Sequence, residues 1–222
     1  MTITDSLIPK NKYNRPGTKS TPKRICVHYT GDCGKNTDRL VAYWKNVAAG
    51  VFKDTPLAWT SAQYIVGLNG EVVRCIPDNE IAYAAANQNA DTIHIEVCYK
   101  RQSGEFEEKS IVALGELVRS LMKKYSIPAV KVVRHYDLTG KLCPAYYVDE
   151  ARWAALHERI TSVQKSSELY RVQVGAFSSR TNAEAYMQKL KKAGFDGFVV
   201  QVKKISPGRR LRGMVLKKHP HT

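Results

Sequence analysis

The chain has 222 residues, of which 43% are hydrophobic and 25% are charged, and its net charge is +15. This hydrophobic share suits one sizeable globular domain with a smaller appendage, and it excludes an intrinsically disordered chain. No apolar run is long enough to span a bilayer, and residues 1–23 lack the pattern of a secretory signal. We therefore expect a protein made in the cytoplasm without a signal peptide or a membrane span.

The cysteine count bears on the chemistry. Five cysteines are present, at positions 26, 33, 75, 98 and 143. In a cytosolic chain they are expected to stay reduced. An odd number is consistent with one thiolate metal ligand together with buried free thiols.

The positive charge favours a polyanionic partner. Nucleic acid and a bacterial wall rich in teichoic acid phosphates both meet that description, and electrostatic attraction does not distinguish them. The sequence shows no zinc-finger spacing, no helix-turn-helix signature and no aromatic RNA-binding motif. No nucleic-acid partner is therefore predicted.

Hydrophobic periodicity predicts strands alternating with helices between residues 25 and 160. The predicted strands are residues 25–28, 63–66, 71–76, 92–99 and 130–133. The predicted helices run from about Asn36 to Gly50, over 107–125 and over 148–160, and residues 82–90 are a loop or short helix. Asn69-Gly70 predicts a hairpin, because both residues tolerate positive φ. We therefore predict the α/β class, with a central mixed β-sheet flanked by helices.

Side chains that bind metals end or follow two of these strands. His28 ends the first strand, His135 follows the last one, and the Thr139-Gly140 turn brings Cys143 back towards His135. Imidazole and thiolate are ligands that zinc prefers, and three protein ligands leave a fourth position for water. Taken singly, however, each residue also suits an ordinary structural role, such as a capped loop histidine or a buried thiol.

The strand over residues 92–99 carries polar side chains on one face. With a period of two, Thr92, His94, Glu96 and Cys98 point to the same side. A carboxylate flanked by apolar residues is costly unless it is used or paired, and a salt-bridged core glutamate is the ordinary explanation. The pattern alone leaves both readings of Glu96 open.

Four segments, in their order and spacing, resemble the type 2 zinc-dependent N-acetylmuramoyl-L-alanine amidases of phage endolysins and Gram-positive autolysins, which are related to the peptidoglycan recognition proteins. The segments are Ile25–Thr30, Thr60–Val66, Thr92–Cys98 and Val132–Pro144. The resemblance implies that His28, His135 and Cys143 are zinc ligands. It also implies that Glu96 is the catalytic carboxylate and that Lys141 is the catalytic lysine.

The reaction implied by the resemblance is hydrolysis of the amide bond between N-acetylmuramic acid and L-alanine, which degrades the bacterial wall. Zinc would supply a water whose pKa falls from about 16 towards about 7. Glu96 then moves protons as general base and general acid, while Lys141 donates to the oxyanion. A wall-directed enzyme without a signal is expected to act after its release from the cytoplasm.

Two positions depart from the family pattern. Ala62 stands where several relatives carry a tyrosine that is thought to assist the intermediate. His94 stands where a small residue is common, and it either hydrogen-bonds to a ligand or competes as one. Three better-matched ligands favour the first role for His94.

Two other functions were weighed against the amidase. A non-catalytic peptidoglycan-binding protein of the same fold is opposed by Cys143, because relatives that do not hydrolyse commonly lack a ligand. A basic nucleic-acid-binding protein leaves the set of histidines, glutamate, lysine and cysteine unexplained.

The C-terminal part has a separate pattern. Residues 170–178 alternate like a strand, 181–193 predict a helix and 194–200 predict a second strand. This order resembles the first β-α-β half of a SPOR domain, a module that binds glycan strands stripped of stem peptides. We therefore predict a small α+β half-module beside the amidase domain.

The last residues form a basic tail. Residues 203–222 hold seven basic residues and no acidic one, which predicts a tail that binds anionic wall polymers. The predicted boundaries are an N-terminal extension (1–23), an amidase domain (24–161), a linker (162–168), a partial SPOR-like module (169–202) and the tail (203–222).

Overall fold

The computed structural model describes residues 1–162 and 174–201, and the chain divides into two compact units, 1–166 and 167–222. In the first unit six strands form one mixed sheet in the order β1-β4-β3-β5-β2-β6. The strands are β1 (Ile3–Asp5), β2 (Arg24–Tyr29), β3 (Tyr64–Val66), β4 (Val72–Arg74), β5 (Thr92–Val97) and β6 (Val132–Arg134). The predicted α/β class with a mixed sheet is confirmed.

The centre of the sheet is parallel. Strand β2 lies between β5 and β6 and is parallel to both, and β3 is parallel to β5. Strands β3 and β4 form the predicted antiparallel hairpin. Its turn places Gly70 at a φ of +85°, which glycine adopts without strain.

The helices are α1 (Thr37–Ala48), α2 (Glu108–Tyr125), α3 (His135–Thr139), α4 (Glu150–Thr161) and α5 (Arg180–Lys192). Helix α1 begins where the sequence predicts, because the Asn36 side chain accepts a hydrogen bond from the Arg39 backbone N–H at 3.3 Å. Asp149 caps α4 in the same way, from the Arg152 N–H at 2.9 Å. The predicted long helices therefore form within one or two residues of their expected ends.

Each face of the sheet has its own hydrophobic cluster. On one face Ile25 and Ile95 are fully buried in a core formed with α2 and α4. Leu117 of α2 belongs to the same core. On the other face Ile65 packs near Trp44 of α1. Because successive side chains of a strand point to opposite faces, β3 and β4 contribute to both clusters.

The structure differs from the sequence predictions at two strands. Strand β6 begins at Val132, since Lys131 N–H bonds to the Pro128 carbonyl and a 3-10 turn leaves Val130 76% exposed. The N-terminal extension adds edge strand β1, parallel to β4, and buries Ile8 completely. A three-residue strand is too short to show a hydrophobic period.

In the second unit, α5 occupies the predicted helix. Residues 194–200 were predicted as a strand, but within residues 174–201 they have no strand partner and Phe198 is 80% exposed. The predicted strand at 170–178 lies partly outside the described residues, as do most of the linker and the whole tail. Among described residues no helix has the length and apolarity to cross a membrane.

Candidate active site

The candidate site lies at the carboxyl edge of the parallel strands. His28 is the penultimate residue of β2, Glu96 is the penultimate residue of β5, and His135 directly follows β6. His28 and Glu96 are register partners on adjacent strands, so their side chains share a face. In open α/β sheets this edge is where ligands bind.

Three predicted ligands meet there. The donor atoms of His28, His135 and Cys143 all lie within 4.8 Å of one another. Nδ1 of His28 is 3.7 Å from Sγ of Cys143, and the two imidazole centroids are 4.6 Å apart. All three side chains are buried, with at most 5% of their surface exposed. The fold therefore brings together His28 and Cys143, which are 115 positions apart in the sequence.

Helix α3 and its turn position the last two ligands. His135 is the first residue of α3, whereas the sequence suggested a loop. The helix ends at Gly140, whose φ of +75° reverses the chain. The Tyr136 N–H then donates to the Cys143 carbonyl at 2.9 Å, which holds the cysteine beside the helix that carries His135.

Sequence reasoning missed the arginine that supports this segment. Arg134 is 3% exposed, and its guanidinium pairs with Asp137 at 2.6 Å and with Glu150 at 2.8 Å. It also donates to the carbonyls of Tyr147 at 2.9 Å and Val148 at 3.1 Å. One buried side chain thus ties β6, α3 and the segment leading into α4 together. The only sign of this role in the sequence is the spacing of Arg134 and Asp137. An arginine and an aspartate three positions apart are common at helix starts, so this spacing does not identify a supporting residue.

The donor atoms have a spacing that suits zinc. With Zn–S near 2.3 Å and Zn–N near 2.0 Å, two ligands of one tetrahedral ion lie about 3.5 Å apart. The 3.7 Å between His28 Nδ1 and Cys143 Sγ is close to that value. In addition, Nδ1 of His135 is buried without a hydrogen-bond partner.

The protonation states of the histidines suit metal binding as well. Burial lowers the pKa of His28 well below its usual value, and the neighbouring His94 and His135 add to the effect. Burial and then the charge of Lys141 lower the pKa of His135 to about 4. Both rings are therefore neutral at pH 7 and offer lone pairs to a cation.

Cys143 is a poor nucleophile in this setting. Burial, with a smaller contribution from the nearby Glu96, raises the pKa of its thiol to about 12. Reactive cysteines have a lowered pKa, because the thiolate is the attacking species. A bound cation would compensate the thiolate charge that the protein itself leaves uncompensated. The site therefore favours a ligand role for Cys143.

Glu96 and Lys141 border this cluster. The Glu96 side chain is partly accessible, but its Oε2 is buried and has no hydrogen-bond partner. Burial raises the pKa of Glu96 to about 8, and the charge of Lys141 opposes that rise. A carboxyl group with a pKa near neutral pH suits general acid and base catalysis. Lys141 is exposed, so its ammonium is available to a substrate.

His94 contacts a predicted ligand directly. It is 0% exposed, and its Nδ1 lies 3.0 Å from Nε2 of His28. Cys26 joins these two histidines in a second group whose donor atoms lie within 4.8 Å of one another. Burial and then the charges of His135 and Arg24 lower the pKa of His94 to about 3, so this ring is neutral too.

The second family segment contributes no side chain to the site. Ala62, where relatives carry a tyrosine, is fully buried in the cluster under α1. Gln63 is also fully buried, and its Oε1 accepts a hydrogen bond from the His94 backbone N–H at 2.7 Å. Tyr64 belongs to the core on the other face and donates to Asp78.

Comparisons with known proteins agree with this architecture. A sequence profile described as N-acetylmuramoyl-L-alanine amidase matches residues 18–146, and a SPOR domain profile matches residues 147–201. N-acetylmuramoyl-L-alanine amidase CwlL of Bacillus licheniformis is 29% identical over 175 residues, covering 72% of this chain and 47% of the relative. N-acetylmuramoyl-L-alanine amidase BlyA of Bacillus subtilis (strain 168) is 31% identical over 172 residues, covering 68% and 44%.

Solved structures show the same fold. The catalytic domain of XlyA is 30% identical with a TM-score of 0.61, and the alignment covers 72% of this chain and 99% of that one. A mutant endolysin from Bacillus subtilis is 29% identical with a TM-score of 0.60 and the same coverage. The chain spans about half the length of the curated relatives, but nearly all of these two solved chains.

Proposed function

Because the chain belongs to the N-acetylmuramoyl-L-alanine amidase family, we propose that it is a zinc-dependent peptidoglycan hydrolase. It cleaves the amide bond between N-acetylmuramic acid and the L-alanine of the stem peptide, and so degrades the bacterial wall. The observation that carries this proposal is the meeting of His28, His135 and Cys143 at the sheet edge where Glu96 also lies.

The metal part of the proposal assigns three ligands. His28, His135 and Cys143 would hold one zinc ion, since two neutral imidazoles and one thiolate match its preferences. When bound, zinc supplies a water of lowered pKa and a Lewis acid for the carbonyl oxygen. With three protein ligands, the fourth coordination position of the ion would stay open.

Two side chains carry out the remaining chemistry in this proposal. The Glu96 carboxylate accepts a proton from the attacking water and passes it to the leaving nitrogen, for which a pKa near neutral is well matched. The exposed Lys141 ammonium donates to the oxygen that becomes negative during attack on the amide. The positive charge of Lys141 also favours the ionised form of Glu96.

The rest of the chain is proposed to hold the enzyme on its substrate. We assign residues 24–161 to the amidase domain, 162–168 to a linker and 169–202 to a partial SPOR-like module for glycan strands, a type of domain matched by residues 147–201. The site of action is the bacterial wall, which the enzyme reaches after release. Residues 1–23 precede the assigned domain and supply its edge strand β1.

The test of the activity is release of L-alanine amino termini from purified peptidoglycan. We expect release by the intact protein, none after chelation, and recovery on adding zinc. Glu96→Gln keeps the shape of the side chain but cannot accept a proton, so we expect a loss of about 10²- to 10⁴-fold. Arg39→Gln, on the exposed side of α1, is the matched surface control.

The opposite result is equally informative. If the folded, zinc-loaded protein released no amino termini from several wall types while still binding them, the enzyme proposal would be wrong. The protein would then be a peptidoglycan-binding member of the same fold, and Glu96 and Lys141 would contact the ligand.

The tail has a separate test. Residues 203–222 carry seven basic residues, and we propose that they bind anionic wall polymers. Deleting them should weaken binding to isolated walls at low salt, with the difference shrinking as salt screens the charges. Equal wall binding with and without the tail at every salt concentration would refute this role.

A further inference from the structure

One buried polar side chain next to the proposed metal ligands has no part in the mechanism above. His94 is fully buried on β5, two residues before Glu96. Its Nε2 has no hydrogen-bond partner. Its Nδ1 is 3.0 Å from His28 Nε2, which is a normal hydrogen-bond length. The contact with His28 is therefore what compensates for burying this ring.

The direction of this hydrogen bond follows from the position of His28. Its Nδ1 faces the Cys143 sulfur at 3.7 Å, so Nδ1 is the atom that must offer a lone pair to a cation. A neutral imidazole then carries its proton on Nε2, the atom that contacts His94. The Nε2–H of His28 then donates a hydrogen bond to Nδ1 of His94, and His94 carries its own proton on Nε2.

Without an acceptor beside Nε2, the competing tautomer of His28 would place a proton on Nδ1 and block the metal position. The ring would also lose the hydrogen bond that fixes its orientation. A partner on the outer nitrogen of a ligating histidine fixes both the tautomer and the ring plane, and its loss usually weakens metal binding.

We propose that His94 is a positioning residue that holds His28 in the tautomer and orientation needed to bind zinc. The inference rests on the proposed function, because it takes His28 as a ligand. The strand register supplies the reason for this arrangement: His94 pairs with Cys26, and Glu96 pairs with His28, on adjacent parallel strands. His94 therefore lies one side-chain position behind the ligand on the same face.

A second metal ion held by Cys26, His28 and His94 is the competing arrangement. Their donor atoms also lie within 4.8 Å of one another. However, the 3.0 Å between the two nitrogens is typical of a hydrogen bond, and both Cys26 and His94 are fully buried. The geometry favours the hydrogen bond, and metal stoichiometry separates the two arrangements.

The experiment compares two substitutions of nearly equal shape. His94→Asn keeps an acceptor near the position of Nδ1, whereas His94→Leu has a methyl group there. Zinc affinity is measured on the full chain by competition with a chromophoric chelator, beside the unfolding midpoint of the zinc-free protein. Cys98→Ala is the packing control, because Cys98 is buried on the same face of the sheet and belongs to the hydrophobic cluster under α1.

We expect His94→Leu to weaken zinc binding by about 10- to 100-fold, and His94→Asn to restore most of the affinity. Cys98→Ala should bind zinc like the unsubstituted protein. Cobalt in place of zinc should show altered visible absorption in His94→Leu only. His94→Met is a second apolar variant if His94→Leu does not fold.

Three results would overturn the inference. Equal zinc affinity in His94→Leu and the unsubstituted protein would show that the hydrogen bond does not position His28. Equal losses of zinc affinity in His94→Leu and His94→Asn would show that the packing of the ring, and not its hydrogen bond, supports zinc binding. Two zinc ions per chain, falling to one in Cys26→Ala, would establish the second ion instead. If the unsubstituted protein bound no zinc at all, the proposed function itself would fail.

Discussion

Strands β2 and β5 present two chemically different faces. On one face, five apolar residues are fully buried in the core with α2 and α4, and Tyr29 packs against them; the five are Ile25, Val27, Ile93, Ile95 and Val97. On the other face, the same strands carry Cys26, His28, His94 and Glu96. Their buried polar atoms are incompletely hydrogen-bonded, as Oε2 of Glu96 and Nε2 of His94 show.

This contrast indicates that one face of the two strands stabilises the fold and the other carries the proposed site. Apolar burial stabilises strands β2 and β5 from one side, by about 25 cal/mol for each Å² removed from water. The polar face lowers that stability, because buried groups without partners are costly. Substitutions on the two faces should therefore change different quantities, and the next three predictions test that separation.

The largest effect is expected from Cys143→Ser, on the polar side of the sheet. A serine hydroxyl does not ionise at neutral pH, so the proposed site would lose its charged ligand. Zinc affinity should fall by more than the roughly 100-fold that loss of an outer partner of a ligand costs. The measurement is chelator competition on the purified protein.

Cys75→Ser is the matched control for this prediction. Cys75 is buried, like Cys143, but it belongs to the hydrophobic cluster under α1 and not to the proposed ligands. It should keep the zinc affinity of the unsubstituted protein. Similar zinc binding in both serine variants would remove Cys143 from the proposed ligands.

Ile95→Ala tests the apolar face. Ile95 is fully buried on β5, the strand that carries Glu96, and its truncation leaves a cavity. The free energy of unfolding should fall by about 2–5 kcal/mol. Zinc affinity of the fraction that remains folded should not change. A loss of zinc affinity without loss of stability would contradict the division between the faces.

The smallest effect is expected from Asp78, whose carboxylate makes the stability of the fold depend on pH. Burial raises the pKa of Asp78, but hydrogen bonds from Lys124 and Tyr64 outweigh it, and the pKa lies below its ordinary value. A lowered folded-state pKa means that the ionised carboxylate stabilises the fold above about pH 4, the unfolded pKa. This contribution is lost as the pH falls through the folded pKa.

Asp78→Asn should therefore lower the free energy of unfolding by about 1 kcal/mol at pH 7. The difference from the unsubstituted protein should shrink as the pH falls below about 4, because the unfolded Asp78 carboxyl is protonated there and the folded one follows at its lower pKa. Urea unfolding at pH 7 and pH 3 measures both values. A difference that stays constant between these pH values would show that the charge of Asp78 does not stabilise the fold.

Several features of the fold could be predicted from local sequence alone. The Asn36 side chain marks the start of α1, and Asn69-Gly70 marks the hairpin, because caps and tight turns depend on a few neighbouring residues. The alternation of β5 placed His94 and Glu96 on one face before any contact was known. The family resemblance added which strand-end residues to examine as ligands.

Other features were decided only by the tertiary structure. Edge strand β1 was not predictable, because three residues show no period and need β4 as a partner. The support that Arg134 gives to the ligand segment joins residues up to 16 positions apart. His28 and His94 are 66 positions apart in the sequence, and their contact depends on the register between β2 and β5. Sequence patterns encode which face a side chain takes, whereas long-range packing decides which side chain it meets there.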